Sequence, residues 1–230
     1  LYSSLVLEGR DNWLKQGLDI FQVELNKQIL SDGGHISRSP EQLLEALQIT
    51  IDIRNSLLSR GYDIPAEIEH FIDRMAQALR FFKYPDKGLA VFNGSQQSNV
   101  QLVDAVLARS NARGRVLKNL PQSGYERMTV GRSILVIDTG KPPSSHYDNC
   151  HHAAPLSFEF IYGKQRVFVN CGSNPVDETW QSALKSTAAH NTLTIDDRNA
   201  SEISENGHLI RKPKKINVIK DHNQEGALLE

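Results

Sequence analysis

The chain has 230 residues, of which 39% are hydrophobic and 23% are charged, as in an ordinary globular protein. Its 26 basic and 27 acidic residues give a net charge of -1, which excludes the overall basic bias that favours nucleic acid. No stretch approaches the ~18–20 apolar residues that a membrane helix needs. We therefore expect neither nucleic acid nor a membrane as a partner, and one large domain or two modest ones.

The first half of the chain predicts α-helices, because apolar residues recur there at intervals of three and four. One apolar stripe runs from Leu14 to Ile29 and ends before Gly33. A second begins after Ser39 and Pro40, residue types favoured at the start of a helix, and ends at Gly61.

Two more helices are expected after Gly61. Pro65 precedes a stripe that ends at Phe82, and a shorter apolar run extends from Val100 to Leu107. About four helices joined by short turns would pack as antiparallel hairpins, too few to close a toroid. Because the sequence begins in the middle of an apolar pattern at Leu1, we expect a fragment of a longer protein.

Beyond Gly114 the pattern changes to the two-residue alternation of β-strands. Glycine-containing turns separate the strands of two predicted hairpins, at residues 125–130 with 133–138 and at 156–162 with 165–170. Further strands are predicted at 190–195, near Ile203 and Leu209, and at 216–219, with a short helix at 177–184. Helices followed by strands predict an α+β chain: a helical domain at 1–115 and an antiparallel β-sandwich, also truncated, at 116–230.

Histidines and cysteines cluster in the strand region. His151 and His152 precede one strand, Asn170 ends another, and His190 opens a third. Imidazole, thiolate and carboxylate side chains are zinc ligands, so these residues could converge on Zn²⁺, or the histidines could simply form hydrogen bonds at strand ends. Two cysteines make no disulfide framework in a chain of this size, and one bridge or two free thiols are both consistent with the count.

Two separated blocks carry a family resemblance. Residues 28–40 read QILSDGGHISRSP, and residues 156–160, 167–172 and 187–193 read LSFEF, VFVNCG and TAAHNTL. Over roughly residues 12–200 the sequence resembles the bacterial heparinase II/III-like polysaccharide lyases. The resemblance implies an (α/α) toroid packed on an antiparallel β-sandwich, cleavage of uronic-acid-containing polysaccharides such as glycosaminoglycans by β-elimination, and a periplasmic or secreted location.

The resemblance also assigns roles to particular positions. It implies a zinc site formed by His152, Asn170 and His190, with asparagine standing where the family has an aspartate. The family's catalytic histidine falls on Cys150, and the tyrosine of the lyases falls near Gln42. We expect Cys150 to be a catalytic residue and Gln42 to contact substrate, and a cysteine thiolate could compensate for the neutral Asn170.

Three other residues are candidates for the chemistry of β-elimination, which needs a cation for the uronate carboxylate, a base and an acid. His35 and Arg38 lie on the glycine-rich connection, where loop residues can face a cleft. Arg38 would bind the carboxylate through its fork of donors, or it could form a salt bridge. His35 could instead cap a helix, and Tyr125 could pack between domains. The sequence thus predicts a lyase, with a catalytically impaired glycan-binding or scaffold protein as the alternative.

Overall fold

The first half of the chain folds into helices, as the apolar stripes predict. The computed structural model describes residues 1–7, 11–204, 206–213, 216–222 and 227–229. The helices are α1 (Tyr2–Val6), α2 (Asp11–Gln28), α3 (Pro40–Ser59), α4 (Ala66–Phe82) and α5 (Val100–Arg109). Among the described residues, no helix is long and apolar enough to cross a bilayer.

The starts of α3 and α5 follow from their capping residues. The Ser39 hydroxyl accepts a hydrogen bond from the backbone N–H of Gln42, and Pro40 occupies the first helical position. Asn99 caps α5 in the same way through its side-chain oxygen. The predicted stripes on α3 and α4 are buried and face each other across the largest helix–helix contact, so their prediction is confirmed.

The second half forms an antiparallel sheet of five strands in sequential order. Its strands are β1 (Asn119–Leu120), β2 (Tyr125–Val130), β3 (Ser133–Asp138), β4 (Phe158–Tyr162) and β5 (Gln165–Phe168). Two small hairpins follow, β6 (Glu202–Ile203) with β7 (Leu209–Ile210) and β8 (Lys220–His222) with β9 (Ala227–Leu229). The α+β fold class, helices first and antiparallel strands afterwards, is confirmed.

The helices and the sheet share one core. Tyr125, Ile134, Val136 and Ile161 project from the sheet into the same buried cluster as the side chains of α3 and α4. The Tyr125 ring meets the Phe82 ring edge to face, with centroids 4.9 Å apart. The helical layer and the sheet therefore pack directly against each other.

The C-terminal part of the chain departs from two of three local predictions. The helix expected at 177–184 is present as α6 (Glu178–Leu184), capped by Asp177. The strand expected at 190–195 is wrong: a 3₁₀ turn occupies Thr187–Ala189, and the chain then bends, with the Asn191 N–H bonded to the Asn170 side chain instead of a neighbouring strand. Residues 216–219, also expected as a strand, are irregular, and pairing begins only at Lys220.

Candidate functional site

The Asp-Gly-Gly segment joins the helices to the sheet. The Asp32 carboxylate accepts hydrogen bonds from the backbone N–H groups of Gln122 and Ser123, at 2.8 and 2.7 Å, and from the Ser123 hydroxyl at 2.8 Å. Gly33 has φ 84°, and a Cβ there would lie 2.2 Å from the Arg74 carbonyl oxygen; one at Gly34 would lie 1.9 Å from the Ser123 hydroxyl oxygen. The motif is thus explained by close packing, of Asp32 and Gly34 against the turn at Ser123 and of Gly33 against α4.

Arg38 belongs to the same contact between the layers. Its guanidinium forms a buried ion pair with Asp138 and donates to the carbonyl oxygen of Ser123 at 2.6 Å. Its remaining N–H groups face the carbonyl oxygens of Gly124, Gly140 and Lys141 at 3.2 Å. Arg38 is 5% exposed, so the donors expected to bind a substrate carboxylate are taken up by protein acceptors.

Tyr125, the second candidate on this contact, is fully buried. Its hydroxyl donates to the Arg38 carbonyl oxygen at 2.6 Å and accepts from the Asn93 side-chain N–H at 2.7 Å. Burial raises the pKa of this hydroxyl well above its ordinary value. These contacts give Tyr125 the interdomain packing role that the sequence left open, and they leave it without an accessible oxygen for base catalysis.

His35, Ser37 and Cys150 lie next to one another, and hydrogen bonds join the first two. The backbone N–H of Ser37 donates to His35 Nδ1 at 3.2 Å, so Nδ1 is an acceptor and also receives the Ser37 hydroxyl proton at 2.7 Å. His35 Nε2 then carries the proton and faces Gln28 Oε1 at 3.3 Å. The Ser37 hydroxyl also lies close enough to the Cys150 thiol to lower its pKa, against the larger effect of burial. An imidazole and a half-buried thiol therefore lie on either side of one hydroxyl group.

Burial sets the protonation states of these residues. It lowers the pKa of His35 to about 4, so the imidazole is neutral near pH 7. Burial raises the pKa of the Cys150 thiol, against the opposing effects of the Ser37 hydroxyl and the Lys185 charge. A neutral acceptor at one end and a protonated thiol at the other can pass a proton through Ser37.

His152 and His190 lie side by side, as the family resemblance implies. His152 Nδ1 lies 3.0 Å from His190 Nε2, and His190 Nε2 is also 2.9 Å from the carbonyl oxygen of Leu184. Burial lowers the pKa of both imidazoles, and the pKa of the neighbouring buried His151 as well. His190 Nε2 is the donor to both neighbours, because a carbonyl oxygen can only accept.

Asn170 is connected to this pair through Asn191, the residue that follows His190. Its side-chain oxygen accepts from the Asn191 N–H at 3.2 Å, while its Nδ2 is buried with no hydrogen-bond partner. Its own backbone N–H donates to the Glu159 carboxylate at 3.1 Å. Glu159 also accepts from the Tyr84 hydroxyl at 2.9 Å and from the Val91 N–H, so it ties β4 to the helical layer.

The zinc site implied by the resemblance can be tested against these donors. Two imidazole nitrogens on one zinc ion would be separated by roughly 3.3 Å, close to the spacing of His152 and His190. Asn170 supplies only a neutral amide, and the described residues contain no group of three or more His, Cys, Asp or Glu placed to hold a metal. The donor set does not fit a complete zinc centre, and we derive no step through a metal.

Gln42, the remaining predicted site residue, bonds within its own helix and not to the other site residues. Gln42 is exposed on the first turn of α3, where its side chain bonds to Glu45 at 3.3 Å. Cys171 is an exposed free thiol, and Cys150, described above, is also free. Sequence reasoning missed Ser37, Asp138 and Glu159. Glu159 and Asp138 left a signal, since each is a carboxylate in a strand whose other residues are mostly apolar.

Comparisons with known proteins match both layers. The family model described as heparinase II/III N-terminus matches residues 7–113, and that described as heparinase II/III-like, C-terminal, matches residues 112–229. FtsZ-localized protein C from Caulobacter vibrioides (strain NA1000 / CB15N) is 33% identical over 177 residues, which are 77% of this chain and 31% of that protein.

Solved structures show the same fold. A heparinase III gene product superimposes with a TM-score of 0.71 at 18% identity, covering 96% of this chain and 37% of that one. Heparan sulfate lyase HepC from Pedobacter heparinus superimposes with a TM-score of 0.66 at 17% identity, covering 84% and 34%. The chain spans about a third of the length of the relatives it matches.

Proposed function

The chain belongs to the heparinase II/III-like family, and we propose that it forms part of a polysaccharide lyase that cleaves a uronic-acid-containing glycan by β-elimination. The solved neighbours are named heparinase III and heparan sulfate lyase. For this chain the proposal is the broader class of acidic polysaccharides. A periplasmic or secreted location is part of the same proposal.

The observation that carries the proposal is that Cys150, Ser37 and His35 lie next to one another. Elimination removes the proton at C5 of the uronate and breaks the bond from C4 to the glycosidic oxygen, leaving a C4–C5 double bond. Cys150 accepts the C5 proton as its own proton moves to Ser37 and that of Ser37 moves to His35 Nδ1. The same path run backwards delivers a proton through Cys150 to the departing oxygen.

Electrostatics favour this path only when substrate is bound. His35 is a weak base in the free protein, because burial lowers its pKa to about 4. The negative charge that develops on the uronate during proton removal would stabilise a protonated imidazole and raise that pKa. Arg38 and Tyr125 are left out of the proposed reaction, since their polar groups are occupied by protein partners.

Zinc has no step in this scheme. Binding of Zn²⁺ by His152, Asn170 and His190 stays an untested hypothesis from the resemblance, and the neutral amide of Asn170 does not favour it. Elemental analysis of the purified protein measures it directly, and the absence of stoichiometric zinc would dispose of it.

The experiment for the lyase proposal is incubation of the full-length protein with a panel of uronate polysaccharides. The unsaturated product absorbs in the ultraviolet, so its appearance reports elimination and not hydrolysis. We expect at least one member of the panel to yield this product. No product from any member, in protein shown to be folded by circular dichroism, would contradict the proposal.

A second candidate function is a lyase-derived protein that binds a glycan without cleaving it. Two points favour it. By the family resemblance, Gln42 stands near the position of the tyrosine of the lyases. The Caulobacter relative of this chain is named for localisation with FtsZ and not for an activity. Glycan binding with an unchanged chain-length distribution after prolonged incubation would support this alternative over the first.

A further inference from the structure

A concave surface lies at the turn end of the five-stranded sheet, and none of the site residues described above lines it. It is formed where the β2–β3 and β4–β5 turns come together and has a volume of about 570 Å³. Its lining includes two cations, an aromatic ring, an amide and two apolar residues, namely Arg132, Lys164, Tyr162, Gln165, Ile134 and Pro85. This volume is within the range of ~300–1,000 Å³ that small-ligand sites occupy.

The two cations of this pocket lack acidic partners among the described residues. The ion pairs found in the described part of the chain include neither Arg132 nor Lys164. The nearby Asp86 carboxylate is engaged by Arg166, at 2.6 Å from Nε. The pocket therefore keeps two positive charges that the protein does not neutralise.

Arg132 is held in place by its surroundings. Its guanidinium carbon lies 5.1 Å from the centroid of the Tyr162 ring, a cation–π contact. Gly163 makes room for it, because a Cβ at Gly163 would lie 2.6 Å from Arg132 Nη2. The Gly163 N–H in turn donates to the Arg132 carbonyl oxygen at 2.8 Å. A guanidinium ordered in this way loses less entropy when it binds an anion.

We propose that this pocket is a second binding site for an acidic sugar unit, separate from the cluster where cleavage is proposed. Arg132 and Lys164 would bind the carboxylate, the half-exposed Tyr162 ring would contact the apolar face of the sugar, and Gln165 would bond to a hydroxyl. The inference rests on the proposed function, because it takes an acidic glycan as the ligand.

The pocket lies at the opposite end of β3 from the contact made by Arg38. Ser133 is at the pocket end of this strand and pairs with Tyr162, whereas Asp138 is at the other end, against Arg38. The two residues are five positions apart on an extended strand, or about 17 Å. The pocket is therefore separate from the contact between the layers.

Calorimetric titration of the full-length protein with hexagalacturonate and with a heparin-derived hexasaccharide tests the proposal, with neutral maltohexaose as the comparison. The double variant Arg132→Ser/Lys164→Ser is expected to bind the acidic oligosaccharide about tenfold or more weakly at low salt. Tyr162→Ala is expected to weaken binding in the same direction. The matched control Arg115→Ser/Lys118→Ser removes the same charge from exposed residues outside the pocket and should leave affinity within about twofold.

The outcomes separate this inference from the lyase proposal. Equal losses in both double variants, or no binding of either acidic oligosaccharide to the wild type, would overturn the pocket. Product formation by Arg132→Ser/Lys164→Ser with unchanged KM on polymer would overturn it too. Pocket-dependent binding without product from any uronate polysaccharide would support the pocket while contradicting the lyase proposal.

Discussion

At the scale of single residues, the buried imidazole of His35 makes the protein sensitive to acid. Its pKa is lowered to about 4 by burial, whereas the unfolded chain takes up the proton near the ordinary value of 6.5. Between these values the unfolded state binds more protons, so stability falls as the pH falls through this window. From pH 7 to pH 5, His35 alone should reduce the free energy of unfolding by about 2 kcal/mol.

Urea unfolding at the two pH values measures this effect. The variant His35→Gln should lose about 2 kcal/mol less than the wild type on acidification, although His151, His152 and His190 still act in the same direction. The control His146→Gln, which changes an exposed histidine, should retain the full loss. An identical pH dependence in His35→Gln and the wild type would contradict the assigned burial.

The side chain at position 170 is expected to determine how tightly the protein binds zinc. A carboxylate at this position would still accept from the Asn191 N–H, and its second oxygen would replace the unpartnered Nδ2. We expect Asn170→Asp to bind zinc more tightly than the wild type, by about tenfold or more, because it adds a charged oxygen ligand. Competition with a chromophoric chelator measures the affinity, and His190→Gln in the Asn170→Asp background should remove the gain. Equal affinity in Asn170→Asp and the wild type would show that position 170 does not face the metal.

At the scale of elements, the glycine turn between α2 and α3 is set by its contact with α4. Gly33 and Gly61 both have positive φ, but only at Gly33 would a Cβ meet another atom, the Arg74 carbonyl oxygen. Gly33→Ala should therefore destabilise the protein by more than about 2 kcal/mol, from backbone strain and overlap together. Gly61→Ala should cost only the strain, about 1 kcal/mol, in the same thermal denaturation series. Equal losses would mean that the contact with α4 contributes nothing.

The connection between β4 and the helical layer depends on Glu159. Its carboxylate faces only donors, the Tyr84 hydroxyl and the N–H groups of Val91 and Asn170. Glu159→Gln would turn an amide donor toward these donors and should cost about 2–3 kcal/mol of unfolding free energy. Tyr84→Phe removes a single donor and should cost about 1 kcal/mol. A loss for Glu159→Gln no larger than that for Tyr84→Phe would show that the carboxylate is not required.

The elements that the sequence predicts well are those fixed by local signals. Helix α3 begins where Ser39 and Pro40 indicate, and both hairpins of the main sheet turn at their glycines. The segment after Thr187 was predicted incorrectly, because its bends depend on distant partners: Asn199 for the Thr187 N–H and Asn170 for the Asn191 N–H. Spacing along the chain carries no information about such contacts.

The same limit applies to the candidate site. His152 and His190 meet as the family resemblance implies, although the strand expected to bring His190 there is absent. The sequence did not predict the partner of Arg38, since Asp138 is a hundred residues away along the chain. Without that partner, a buried interdomain arginine is indistinguishable from a substrate-binding one.

At the scale of the whole molecule, the fold is that of the heparinase II/III-like family, and the contact between its layers is made by the motif that identifies it. Asp32, Arg38 and Tyr125 join helices to sheet, while Cys150, Ser37 and His35 lie next to that contact. Most of the segment at residues 28–40 therefore has a structural role, and His35 and Ser37 are its residues available for chemistry.

The measurement that tests this account most directly is the rate of unsaturated-product formation by full-length Cys150→Ala, compared with full-length Cys171→Ala. Cys171 is an exposed free thiol and serves as the matched control. The account predicts that Cys150→Ala lowers kcat/KM on a cleaved polysaccharide by about 100-fold or more, as loss of a proton-transfer group does, while Cys171→Ala keeps the wild-type rate. Equal rates in the two folded variants would contradict it.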